Sequence, residues 1–289
     1  MKLINLILSL SIANSNHVNK VTNFNLSDRY NNFLIKSIEN NLDIIKTENV
    51  KFSDIHPYEF DCVWSLGMHC RPAYYIEKYN LRFQAAPFDW IDKTSLKEII
   101  NQIKAGFIDF FSEIEDITPK NSSSNHRIVK DKIGKTIAMH HFPKKVSAEK
   151  YKKTFRDMMI KRANKVDKIM KNSKSVGFIR EDESNNLSDV IDFGKQISQM
   201  YKNLDNIVIF YIINSKDENL KNATKTTFDK VTIISVKLND VPLDKNGKEY
   251  KSWKGNPNKW KNYVMKFISP SEKLKRDIVE ASLNKVVKT

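Results

Sequence analysis

The sequence predicts an α/β fold of three layers, a mostly parallel sheet flanked by helices, with a helical N-terminal extension. Three observations carry this. Short apolar runs, of which NIVIFYII over 206–213 is the clearest, alternate with helix-length amphipathic segments, the pattern of strands covered on both faces by crossover helices. Glycine and proline number only seven and eight, too few for a loop-rich sandwich. Apolar residues make up 40% of 289 positions, enough for the core of a large domain.

The first 15 residues, MKLINLILSLSIANS, carry one lysine, an apolar run and then small residues. That is the form of a short secretory signal peptide, and it is too short for a membrane span. Residues 16–55 read as a linker and a helix, the helix starting at Ser27 or Asp28 and reaching about Lys46, with Tyr30, Phe33, Leu34, Ile38, Leu42 and Ile45 at helical spacing. Residues 56–289 contain no repeat or composition break and are read as a single α/β domain. The protein is expected to be exported if the leader acts, and cytoplasmic otherwise.

Within that domain, 60–66 is a buried strand ending at Gly67. A helix over 71–79 takes Pro72 in its first turn, where the missing N–H is no loss. Residues 82–86 are extended until Pro87. Thr94 or Ser95 caps a helix through Lys104, and TPKNSSSN over 118–125 is a loop. Strands over 127–129 and 135–141 flank a turn at 132–134. Ser147 caps the longest helix, to about Asn172. A strand at 175–180, a helix at 187–201, and strands at 206–213 and 231–236 continue the alternation. Helices over 258–267 and 271–286 close the chain.

The formal charge is +15, from 41 lysines and only 8 arginines set against 34 acidic residues. Arginine is the usual residue for two-pronged phosphate contacts, so this lysine excess reads as a solvated surface and no specific nucleic-acid partner is expected. Cys62 and Cys70 are the only cysteines. An intervening strand holds them beyond the ~7 Å that a disulfide spans, and no second pair exists for zinc. No cofactor or metal is expected.

Ligands of parallel sheets collect outside the carboxyl ends of the strands. Gly67, His69 and Cys70 follow one strand, His140 and His141 end another, and Arg180 ends a third. Cys70 opens a helix, where the dipole, Arg71 and His69 favour a thiolate, and a thiolate beside a histidine is the minimal unit of cysteine catalysis. Free cysteine is also a common core residue, and Cys62, inside DCVWSL, reads as core. His140 and His141 are neighbours on a strand and must face opposite ways. The PFDW segment over 87–90 supplies a rigid turn, two aromatics and Asp89, which could hold a histidine's tautomer. WKGNPNKWKN over 253–262 reads as a loop and then a helix anchored by Trp260, or as a basic, aromatic single-strand patch. The residues alone leave three functions open. One is a cysteine hydrolase. Another is a glycosyltransferase-like or nucleotide- or glycan-binding protein, with Arg71 and Arg180 holding phosphate. The third is an exported interaction protein that binds through its basic surface.

The strings SLGMHC (65–70), NLR (80–82), APFDWI (86–91) and MHHF (139–142), with Arg162 and FIR (178–180), together resemble an uncharacterised family of papain-like cysteine peptidases. That family is similar in its SLGxxC, helix, PFDW, HDF-ended strand, helical arginine and F-x-R elements. The resemblance spans roughly 60–270. It implies Cys70 as nucleophile, His140 as general base, and a polar third residue, either Asp89 or one of Asn256 and Asn258. His141 stands where the family's element has an acid. About 70 residues separate the pair, against roughly 130–150 in ordinary papains. The implied substrate is a peptide or other acyl compound, contacted by Gly67, His69, Arg71, Trp90, His141 and Arg180.

Overall fold

The computed structural model describes residues 44–286 apart from 243, 245, 247 and 251. The expected leader, and the expected helix up to residue 43, lie outside the described residues.

Six strands make the main sheet, in the order β1 (Lys46–Lys51), β10 (Asn222–Phe228), β11 (Val231–Leu238), β9 (Asn206–Asn214), β8 (Ser175–Asp182) and β3 (Cys62–Ser65). Strands β3, β8, β9 and β11 run parallel. Strand β10 is antiparallel to β11, and β1 to β10. The sheet is therefore mixed, where a mostly parallel one was expected. The reason is local. Only Asp229 and Lys230 separate β10 from β11, and so short a link can close only a hairpin; Asp229 takes a left-handed φ of 45° to make it. Strand β10 reads NATKTTF, which offers no apolar run. Its polar positions suit an outer strand, and Thr226 meets Thr47 of β1 through hydroxyls 3.1 Å apart.

The helices are α1 (Arg71–Lys78), α2 (Leu96–Lys104), α3 (Ala148–Lys171), α4 (Leu187–Met200), α5 (Pro257–Tyr263) and α6 (Glu272–Val286). Ser95 and Ser147 cap α2 and α3 by accepting from the amides of Glu98 and Lys150. None of the helices among the described residues is long and apolar enough to cross a membrane.

The period-two alternation of β9 divides the core. Ile207, Ile209 and Tyr211 share one cluster with Phe155 and Met159 of α3 and with Phe193 and Ile197 of α4. Val208, Phe210 and Ile212 share the other with Tyr75 of α1, Trp260 of α5 and Leu274 of α6. Each such side chain contributes about 1.5–3 kcal/mol on burial, and the two clusters place helices on both faces of the sheet. Two smaller sheets complete the fold. Strands β4 (Ile91–Asp92), β7 (Ile137–Pro143), β6 (His126–Asp131) and β5 (Ile114–Asp116) form an antiparallel sheet within the long connection from β3 to β8. Strand β2 (Tyr58–Phe60) pairs in parallel with β12 (Ile268–Pro270).

Candidate active site

The carboxyl end of β3 turns sharply before α1. Gly67 and Met68 both adopt left-handed backbone, with φ of 64° and 67°. A second loop, 90–95, lies against this turn: Lys93 donates its amide to Met68 O at 3.2 Å, and Trp90 and Lys93 are also left-handed, at 63° and 56°. For a bulky side chain such a conformation costs on the order of 1 kcal/mol or more. Arg180, only 4% exposed, fastens both loops from β8 by donating to Leu66 O and Thr94 O at 2.8 and 2.7 Å, while Asp182 accepts from its Nε at 2.9 Å. Its guanidinium is thus engaged inside the protein, in support of both loops.

These loops shape a cleft of about 570 Å³. His69, Cys70, Arg71, Asp92 and His140 are its polar lining; Trp90, Met139 and Trp253 are its apolar lining. Cys70 is the cap residue of α1, and Cys70 O accepts from the Tyr74 amide at 3.1 Å. Its thiol does not behave as a helix start alone would dictate. Burial, and then the nearby Asp92 carboxylate, push it up to about 11 against the pull of Arg71. That pull is weak because Arg71 is already claimed: its Nη1 lies 2.8 Å from Glu181 Oε1 and also contacts Asp240 Oδ2. Asp240 in turn accepts from the Trp260 indole at 3.1 Å and from the Asn256 amide at 2.7 Å. Arg71 therefore borders the cleft while anchoring α1 to the ends of β8 and β11.

Strand alternation sorts the remaining residues. His140 and Trp90 face the cleft together, ring centroids 6.0 Å apart. His141 and Asp89 belong to a separate group. His141 Nε2 lies 3.5 Å from Arg162 Nη1, and burial first, then the Arg162 charge, push its imidazole down to about 3. Asp89 accepts from the Ala86 amide at 2.9 Å and lies 3.4 Å from Arg82 Nη2. Burial pushes its carboxyl up to about 6, with Arg82 and Arg162 drawing it back. The structure thus groups Asp89 with His141 through Arg162, and does not bring it to His140. Asn256 is engaged as the cap of α5, and Asn258 is exposed.

The carboxylate that does reach the cleft is Asp92. Strand β4 pairs Asp92 with Ile137 and Ile91 with Ala138, a register that no local pattern discloses. Asp92 Oδ1 lies 3.4 Å from His69 Nδ1. Burial disfavours the charged form of His69, but the hydrogen bond it donates to Asp92 and the charge of Glu181 outweigh this and raise its affinity for a proton. His140 is shifted the other way, by burial and by His126, with Asp92 opposing. Among the described residues no hydrogen bond joins Cys70 Sγ to His140. No group of three metal-binding side chains occurs among them either. Asp92, Glu181, Asp240 and Trp253 were missed in the sequence; the acidic run 181–183 that ends β8 signals Glu181 and the tryptophan-containing string near the C-terminus signals Trp253, while Asp92 and Asp240 have no local signal.

Comparison with known proteins bears on this site. Residues 61–215 match the family described as "Putative papain-like cysteine peptidase (DUF1796)", a segment that includes Cys70, Asp92, His140 and Glu181. "Uncharacterized protein R408" of Acanthamoeba polyphaga mimivirus is 22% identical over 223 residues, covering 70% of this chain and 96% of the viral one. No solved structure matches.

Proposed function

The chain belongs to the "Putative papain-like cysteine peptidase" family, and from that membership we propose a cysteine hydrolase with Cys70 as nucleophile and His140 as general base. The observation that carries this reading is the shared cleft: Cys70, His140 and Asp92 all line it. The thiol is neutral at rest, so the base acts during attack. His140, held below its ordinary value and hence unprotonated at neutral pH, takes the Sγ proton as sulfur bonds to the acyl carbon. The oxyanion meets backbone amides at the start of α1. The imidazolium returns the proton to the leaving group, leaving a thioester. Water, deprotonated by the same imidazole, then releases the acid and restores the thiol.

One observation favours a second assignment of the base. His69 adjoins Cys70 and already holds a carboxylate partner in Asp92, the orienting pair that a triad needs. The phosphate-binding alternative has lost its cations, because Arg71 and Arg180 are both engaged internally.

The test is labelling by a peptide-like, thiol-reactive acyl probe. Wild-type protein should be labelled at Cys70 and Cys70→Ala should not, with an unchanged melting temperature. His140→Ala should slow labelling on the order of a hundredfold or more; if His69→Ala does so instead, the base is His69. Equal labelling of Cys62 and Cys70, or labelling that survives Cys70→Ala, would sink the hydrolase.

A further inference from the structure

The lining of the cleft includes two aromatic residues, Trp90 and Trp253, that catalysis by Cys70 does not use. Trp253 is 55% exposed, a large indole standing in solvent at the mouth of a cavity. It meets two rings: Tyr74 nearly edge-to-face at 5.1 Å and 71°, and Trp90 in a tilted pair at 6.1 Å and 59°. Trp90 meets His140 at 79°. The row Tyr74–Trp253–Trp90–His140 is therefore an aromatic wall that leads from open solvent to the reacting group.

Backbone strain gives a second, independent indication. Phe107 and Phe111 share the left-handed backbone of Trp90, but both are buried, and core packing offsets their strain. Trp90 is only partly buried and lines the cavity. Its strained placement has no comparable return in the core, and strain of this kind collects where a side chain is aimed at a ligand.

Charge decides what the wall accepts. Lys254 already lies over Tyr74 and Trp253, at 5.3 and 5.6 Å, so a cation is in place and a basic ligand group would meet it with repulsion. The Asp92 carboxylate that lines the cleft would in turn repel an acidic one. A neutral planar ring suits the wall, because aromatic pairs favour offset or edge-to-face contact over the faces left open.

Resting on the hydrolase reading, we propose that Trp253 and Trp90 form a specificity subsite for an aromatic side chain of a peptide substrate, carried by the residue beside the acyl carbon that Cys70 attacks. The substrate class is thus a peptide with phenylalanine or tyrosine at that residue.

A set of otherwise identical acyl probes carrying phenylalanine, leucine, lysine, glutamate or glycine there would test it. The phenylalanyl probe should label Cys70 at least about tenfold faster than the glycyl probe. Trp253→Ala should reduce that ratio severalfold, and Trp253→Phe should retain most of it. A ratio near one in wild-type protein, or a preference for lysine or glutamate, would overturn the subsite. To separate this outcome from failure of the hydrolase reading, N-acetyl-phenylalaninamide is titrated into Cys70→Ala protein and the heat of binding followed by calorimetry. Saturable change that is lost in the Cys70→Ala/Trp253→Ala double variant supports the wall even if no probe labels Cys70. No saturable change, with N-acetyl-glycinamide behaving the same, counts against it.

Discussion

Cys70 keeps its proton at neutral pH because burial and Asp92 outweigh a guanidinium that is already engaged. With the thiol pushed up to about 11, roughly one molecule in ten thousand is thiolate at pH 7. Alkylation of Cys70 by iodoacetamide, followed by peptide mass spectrometry, should therefore climb about tenfold per pH unit between about pH 7 and 9. Asp92→Asn should raise the rate throughout that range by removing a repelling charge. A rate that levels off below pH 8 would mean that a thiolate–imidazolium pair exists at rest. Much of this cleft was legible in contiguous strings, since SLGMHC and PFDW each keep their residues within one turn or loop. What was not legible is partnership. Asp92 depends on the register of β4 with β7. Arg71 and Arg180 looked available because most of the carboxylates and carbonyls that claim them come from segments distant in the sequence.

At the scale of elements, α1 is moored where three strand ends meet. One guanidinium, Arg71, faces two buried carboxylates, Glu181 at the end of β8 and Asp240 beyond β11. The excess negative charge favours a proton on Glu181, whose carboxyl is pushed up to about 7, by burial first and by Asp240 and Asp182 as well. The folded form thus binds a proton that the unfolded chain releases at its ordinary value of 4.5. The stability this provides is complete below that value and is lost as pH rises through about 7. Melting followed by circular dichroism should show Glu181→Gln losing less stability than wild type between about pH 5 and 8, and overtaking it at the upper end. Equal pH dependence in the two proteins would mean that Glu181 does not titrate there. On the other face of the sheet helices were readable, because α2 and α3 combine amphipathic spacing with serine caps. Strands β1 and β10 were not, since KTENVK and NATKTTF carry charges and threonines where a buried strand would carry apolar residues. The stretch up to Lys46 was accordingly read as the end of a helix, although Lys46 opens β1.

For the whole molecule, the family match ends at residue 215, but the sheet does not. Strand β9 needs β11 as its neighbour, and one face of β9 is covered by Trp260 and Leu274, all beyond the match. A fragment of residues 61–215 should therefore lack a cooperative melting transition and bind a hydrophobic dye such as ANS, whereas the full chain melts cooperatively. Independent folding of that fragment would show the later strands to be dispensable. Long-range pairing of this kind leaves no trace in local periodicity, which is why the helices and the parallel strands were readable and the antiparallel edge of β10 and β1 was not. The pairing of Lys46 with Thr227 and of Lys51 with Asn222 also sets an order of events during translation. Strand β1 emerges from the ribosome early, yet the strand it docks on is among the last to be made. Until then the nascent chain carries an unpaired ribbon that must be kept from neighbouring chains, and the lysines and glutamate of β1 act as gatekeepers for that interval.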